Sequence, residues 1–490
     1  MTRDLETSWE GGASREAARA VLINPKATYA HEIAQKCFPP LGLLYLAAAL
    51  DASGIRAQVI DANALRLDVA ATVERVRRAC PDLVGMPIHA ETLRGCAILF
   101  RALRAALPNV ALVAGGPQAS AVPEWVLQQI PELDYVIAGE GETSLVRLVG
   151  CVKSGAPLTG IDGLATRAAP VPSGGLARLP DLDMFPYPAR WAVREAYDQR
   201  RYYALMVPHR RIECIVTSRG CPFRCGFCFN ASRKVRFRSI DRCFDELERL
   251  RSDGVRSVEV LDDNFTANTD RAMEFFERLA RERWGLALRI KARADSITPG
   301  LVDAARRAGV YQVSLGAESG APELLAAMDK RITVSQLRDA ARLVMDRGID
   351  CHTSWIIGYP GETPETLLAT LALVRQMRPT TAGFSILAPY PGTPVYEAAL
   401  RDGTLMGEWS ARTGAVPWIR LSWTRSYEDL VAARRAMMRK VYLRPHYAIE
   451  FSRRIVGSAN LMLARYAAQE LRRTLTPRRR GRDADGDRTP

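Results

Sequence analysis

Arg211-Ile-Glu-Cys-Ile-Val-Thr217-Ser-Arg-Gly-Cys221-Pro-Phe-Arg-Cys225-Gly-Phe-Cys228 decides how the rest of the chain is read. Its first seven residues are largely apolar and β-branched, the composition of a strand, and Gly220 turns that strand directly into the first cysteine. Three thiolates this close on one loop can each take one iron of a four-iron cluster, which leaves the fourth iron open to a substrate. A zinc knuckle would need a fourth Cys or His to close the site, and none stands nearby in the sequence.

Downstream of this strand, short apolar runs keep alternating with helical stretches. Ile212 to Thr217, Ser257 to Leu261, Ala287 to Ile290, Gln312 to Leu315, Thr353 to Ile357 and Gly383 to Leu387 read as strands. Six such units make a partial TIM barrel, and the cysteine loop lies at the carboxyl end of a strand, where barrel chemistry collects. Other strand ends carry polar or glycine-rich segments: Leu261-Asp-Asp-Asn-Phe265, Leu315-Gly-Ala-Glu-Ser-Gly320, Ile356-Ile-Gly-Tyr-Pro-Gly-Glu362 and Pro389-Tyr-Pro-Gly-Thr393. Arg293, at the end of the third strand, is placed to pair with a carboxylate or to form a surface ion pair.

Upstream, five more strands (Val21–Ile23, Ala57–Ile60, Leu83–Gly85, Ala111–Ala114 and Tyr135–Ile137) alternate with helices, as a flavodoxin-like doubly wound domain requires. The expected organisation is an unstructured 1–17, a first α/β domain over 18–153, a Pro-rich linker over 154–205, the barrel over 206–400, a helical region over 401–475 and a basic tail over 476–490. The 490 residues, 48% of them hydrophobic, suffice for two or three cores. The formal charge of +14 comes mostly from arginines spread over helices without interleaved aromatics, which does not suit a nucleic-acid partner. An N-terminus without an apolar stretch, and cysteines that are scattered outside the triad, fit a cytoplasmic, reducing setting.

A cysteine triad at the exit of a barrel's first strand resembles the radical S-adenosylmethionine (SAM) superfamily. The resemblance implies that Cys221, Cys225 and Cys228 hold a 4Fe-4S cluster whose open iron chelates SAM and splits it to methionine and a 5′-deoxyadenosyl radical. It also implies that Phe227 contacts the adenine, that Asp263 or Asn264 receives the methionine ammonium, that Glu318 approaches SAM, and that the backbone at Gly358 packs on adenine. Asp263 and Asn264 read equally as an Asx turn before the next helix.

Pro39-Pro-Leu-Gly-Leu-Leu-Tyr45, Gly115-Gly-Pro117 and Gly139-Glu-Gly-Glu-Thr143 occur in that order at strand ends of the first domain. Together they resemble the N-terminal domain of cobalamin-dependent radical SAM enzymes. Pro40, Leu41, Gly42, Gly115, Gly116, Gly139, Glu140, Gly141 and Glu142 are then the expected cobalamin contacts. No Asp-x-His-x-x-Gly segment, the usual source of a lower cobalt ligand, occurs in the chain; His89 is the residue expected near cobalt. Cys37, Cys80 and Cys96 could instead be drafted for an auxiliary cluster, as in methylthiotransferases, but they share no short motif. The resemblance implies a methyltransferase that uses methylcobalamin and a 5′-deoxyadenosyl radical on an unactivated carbon of a secondary metabolite or lipid. Electrons would come from flavodoxin or ferredoxin. A cobalamin-dependent cyclase or rearrangement enzyme and a non-catalytic corrinoid-binding protein are the alternatives. The aromatic, basic C-terminal region, including Tyr442-Leu-Arg-Pro-His-Tyr447, could cover the substrate, touch a membrane surface, or pack on the barrel.

Overall fold

The computed structural model describes residues 17–26, 36–178, 181–204, 206–230, 232–444 and 447. The first sheet is built from β1 (Arg19–Asn24), β2 (Arg56–Asp61), β3 (Leu83–Pro87), β4 (Ala111–Gly115) and β5 (Tyr135–Ile137), all parallel, in the order β2-β1-β3-β4-β5. Its strands are apolar on both faces because both are covered. In β1, Ala20 and Leu22 enter one core and Val21 and Ile23 the other. The order reverses on either side of β1, so a crevice opens there at the carboxyl edge. The stretch expected as a linker adds β6 (Leu164–Thr166), antiparallel to β5, and Ala177 then bridges back to Gly139.

The second sheet runs in chain order through β7 (Ile212–Ile215), β8 (Ser257–Val260), β9 (Ala287–Ala292), β10 (Val310–Glu318), β11 (Asp350–Ile357) and β12 (Thr381–Ile386). Every pair is parallel, and β7 and β12 do not meet, which makes a partial barrel. Amphipathic helices cover its outer face and start where the sequence caps them. Ser239 caps Ile240–Ser252, Asn268 caps Thr269–Glu282, and Thr333 with Gln336 forms a capping box for Val334–Asp346.

Helix Leu41–Ala52 is buried on nearly all sides, because it serves two cores. Leu43, Leu44 and Ala47 pack into the first sheet's core, while Leu41 and Tyr45 meet Cys214 of β7. At the far end, helix Tyr427–Tyr442 lies on β12: the Tyr442 hydroxyl accepts from the Ala382 amide and donates to its carbonyl, each at 2.8 Å. The Tyr447 hydroxyl donates to the Pro379 carbonyl at 2.8 Å. The described part of the C-terminal region therefore packs on the barrel. The remainder, with the basic tail, lies outside the described residues, as does the N-terminal segment through residue 16. No helix among the described residues is long and apolar enough to cross a membrane.

Candidate active site between the two sheets

The carboxyl edges of both sheets border one cavity of about 550 Å³. Pro40, Leu41 and Gly42 line it from the start of their helix, Gly115 and Gly116 from the end of β4, and Gly139, Glu140, Gly141 and Glu142 from the turn after β5. His89, exposed to it, stands just beyond β3. The barrel supplies the opposite wall through Val216, Ser218, Arg219, Gly220, Leu261 and Asp263. The ten residues expected to contact cobalamin are thus gathered on one surface, within reach of the loop that carries the cysteines.

This surface suits a corrin. Its floor includes Leu22, Met86 and Val113, and helices starting at Leu41 and Glu142 aim amide-rich N-termini into it, where propionamide and phosphate oxygens would accept. His89 is the one histidine among the lining residues. Gly139, however, is required by the protein itself. At φ +100°, a Cβ there would stand 2.3 Å from the Ala177 carbonyl oxygen, so the returning chain can close on the turn only if residue 139 is glycine.

Glu140 and Glu142 have a second task that the sequence did not signal. Arg236 grips the Glu140 carboxylate with two bonds of 2.7 and 2.8 Å. Arg219 donates to Glu142 at 2.6 Å and lies 5.3 Å from the centre of the Tyr45 ring. These pairs join the cobalamin-side turn to the short ribbon (Ser218–Arg219 with Arg236–Phe237) on either side of the cysteine loop.

The cysteine loop is held on both flanks. The Cys221 amide donates to the Ser232 carbonyl at 3.1 Å, and Asn230 Nδ2 to the Cys221 carbonyl at 2.6 Å. The Gly226 amide donates to the Met328 carbonyl, and the Gly226 carbonyl accepts from the Val395 amide, both at 2.9 Å. Gly220 has φ +95°, and a Cβ there would stand 2.7 Å from the Ser232 carbonyl. Cys221 and Cys225 are half-buried and Cys228 is exposed. Desolvation by the surrounding protein raises all three thiols, and Cys228, open to solvent on one side but crowded by Cys225, Asp263 and Cys221 on the other, is pushed up to about 12. Metal loading therefore has to displace protons. Among the described residues no three His, Cys, Asp or Glu side chains converge on a single ion. That does not suit zinc, whereas a four-iron cluster gives each thiolate its own iron. Cys37 and Cys96 are buried in different cores and Cys80 is exposed on a helix end, so they form no auxiliary site.

The remaining expected SAM contacts divide. Asp263 reaches the cavity, and desolvation raises its carboxyl while Lys291 opposes the rise. Asn264 is buried and its Oδ1 accepts from Thr266 at 2.9 Å. Phe227 is half-buried against the barrel core. Glu318, at φ +61°, forms a buried pair with Lys330 at 2.7 Å. The Gly358 amide donates to Glu362 at 2.7 Å, and burial lifts that carboxyl to about 7. Arg293 is not available to an incoming carboxylate. It makes two bonds to Asp295, at 3.0 and 2.8 Å, donates to the Lys330 carbonyl at 2.8 Å and stacks 3.5 Å from the Phe223 ring centre, bracing the cysteine loop. Asp262, overlooked beside Asp263, is the latch of the site. It accepts from the Thr217 amide and hydroxyl at 2.6 Å each and from the Ser218 hydroxyl at 2.5 Å, tying the ends of β7 and β8.

Residues 215–374 match the radical SAM superfamily and residues 32–149 the B12 binding domain. An uncharacterised methyltransferase of Pyrococcus horikoshii is 30% identical over 84% of this chain and 89% of its own length. The anaerobic magnesium-protoporphyrin IX monomethyl ester cyclase of Rubrivivax gelatinosus is 28% identical over 74% of this chain and 66% of its own. Among solved structures, the radical S-adenosylmethionine methyltransferase TsrM of Kitasatospora setae, with cobalamin and a [4Fe-4S] cluster bound, superposes with a TM-score of 0.72. It shares 19% identity and covers 94% of this chain and 99% of its own.

Proposed function

Because the chain belongs to the cobalamin-dependent radical SAM enzymes, we infer that it transfers a methyl group to an unactivated carbon of a small molecule. The observation that carries this reading is the shared cavity: the glycine turns of the first domain and the strand end leading into the cysteines face each other across it. A methyl donor held on one wall and a radical generator on the other would reach the same carbon.

When bound, the cluster supplies the electron that cleaves SAM and the corrin supplies the methyl group. The chain's own work is placement. Cys221, Cys225 and Cys228 would hold the cluster, with Asp262 and Arg293 fixing the loop that bears them. Asp263 is offered as the partner of the SAM ammonium, and Phe227 with the backbone near Gly358 as the adenine contact. Pro40, Leu41 and Gly42 would seat the corrin with the other two glycine turns, and His89 is offered beside cobalt. Flavodoxin or ferredoxin is the proposed electron donor.

The test is anaerobic reconstitution with iron, sulfide and hydroxocobalamin, followed by reduction in the presence of methyl-deuterated SAM and mass spectrometry of nucleosides and corrin. 5′-Deoxyadenosine and a deuterated methyl group on the corrin are expected, the nucleoside disappearing in Cys225→Ala. SAM cleavage without corrin binding would overturn the reading. The likeness to the monomethyl ester cyclase supports a second reading on the same site, in which no methyl leaves the corrin. Turnover of a substrate without acquisition of deuterium would select it.

A further inference from the structure

Asn24 is the last residue of β1, the strand about which the order of the first sheet reverses, so it stands at the crevice. Alternation puts it on the same face as Leu22, and both line the cavity. Its partner in register is Asp61, the last residue of β2. Asp61 is 2% exposed and is not part of the cavity wall. Its Oδ1 accepts from Asn24 Nδ2 and from the Ala64 amide, both at 2.9 Å, and its Oδ2 from the Tyr202 hydroxyl at 2.8 Å.

Burying a carboxylate costs desolvation that hydrogen bonds must offset. The three donors here come from the end of β1, the turn after β2 and the stretch that leads to the barrel. What the arrangement fixes is the Asn24 carboxamide. Because an ionised carboxylate only accepts, Nδ2 has to face Asp61, and the amide cannot turn over. Its oxygen and second N–H are therefore held in a set orientation on a residue of the cavity wall. Asn24 is also the one carboxamide among the lining residues. Of the other polar side chains there, Glu140, Glu142 and Arg219 are joined in ion pairs and Ser218 is held by Asp262.

We propose that Asn24 reads one propionamide arm of the corrin through a paired donor and acceptor contact, and that Asp61 and Tyr202 are positioning residues that hold it for this task. A primary carboxamide is the complement of another: each gives one N–H and accepts one at its oxygen. A corrin with a carboxylate at that arm has no N–H to give, and its charge meets the Asn24 oxygen. The inference rests on the corrin assignment and is independent of whether a methyl group is transferred.

The experiment varies the ligand before the protein. Equilibrium dialysis of the cluster-loaded enzyme compares hydroxocobalamin with its three monocarboxylic acids, in which the b, d or e propionamide is hydrolysed. One of the three should bind about tenfold more weakly than hydroxocobalamin, the loss expected when an amide contact is replaced by an unpaired buried acceptor, and the other two should bind as it does. In Asn24→Ala the weak acid should return to parity with the others, and in Asp61→Asn its penalty should shrink, because the amide is no longer oriented. A purely structural role for Asp61 would lower stability and leave this ratio unmoved, which would overturn its part in the proposal. Equal affinity for all four corrins, equal weakening of all three acids, or an unchanged penalty in Asn24→Ala would overturn the whole; the first two need no variant to fold. Failure of hydroxocobalamin itself to bind would overturn the corrin assignment and this proposal with it. 5′-Deoxyadenosine and deuterium on the corrin, followed in the same samples, report on methyl transfer separately, since either can fail while the discrimination stands.

Discussion

Asp262 and Glu362 show how differently two buried carboxylates can behave. Asp262 accepts three short hydrogen bonds from Thr217 and Ser218, so Asp262→Ala leaves those donors unpaired and should cost about 3 kcal/mol in urea unfolding. The iron content of reconstituted protein should fall with it, since the cysteine loop begins at the latch. Glu362 has one amide donor for its carboxylate, and burial, the leading effect, outweighs it and lifts the carboxyl to about 7. The folded state therefore holds this proton more tightly than the unfolded state, whose carboxyl has the ordinary value of 4.5. Its contribution to stability is complete below about pH 4.5 and is lost as pH rises through about 7. Glu362→Gln should abolish that slope and be more stable than the parent at pH 8 by up to about 3 kcal/mol. Stability measured across this range that is equally steep in both proteins would refute the assignment.

Among the elements, the central strands of the first sheet were legible because both their faces are covered, so each appears as an unbroken apolar run bounded by turn residues. The glycine turns were legible as a set because they all end strands on one edge. β6 was not: Leu164-Ala-Thr166 is too short to show a period and lies among prolines and glycines that read as linker. Nor could sequence spacing separate Asp262 from Asp263, whose roles depend on whether the side chain turns back to β7 or out to the cavity. Arg293 looked available because its partners Asp295 and Lys330 are recruited by the fold. The turn at Gly139 offers a test at this scale. Gly139→Ala places a methyl against Ala177 in a left-handed conformation, which should cost at least about 2 kcal/mol in thermal unfolding. It should also weaken corrin retention, because the Glu140 amide is bonded to the Ala177 carbonyl at 2.8 Å.

Across the whole molecule, two carboxylate–arginine clamps hold the first domain to the barrel beside the cavity. Glu142 is buried, and Arg219→Met would leave its charge without a partner, at a cost of about 3 kcal/mol. Calorimetry should then resolve two unfolding transitions, and Arg219→Met with Glu142→Gln should recover part of the loss. A single, unshifted transition in Arg219→Met would show that the clamp is not what joins the domains. Helix Leu41–Ala52 is the other joint, and it bears on protein engineering. One of its faces belongs to each core, so a chimera that exchanges the first domain for a relative's would inherit a helix cut for a different barrel. The seam for recombination runs lengthwise through that helix and not across the chain, and a successful graft must exchange the residues around Cys214 together with the domain.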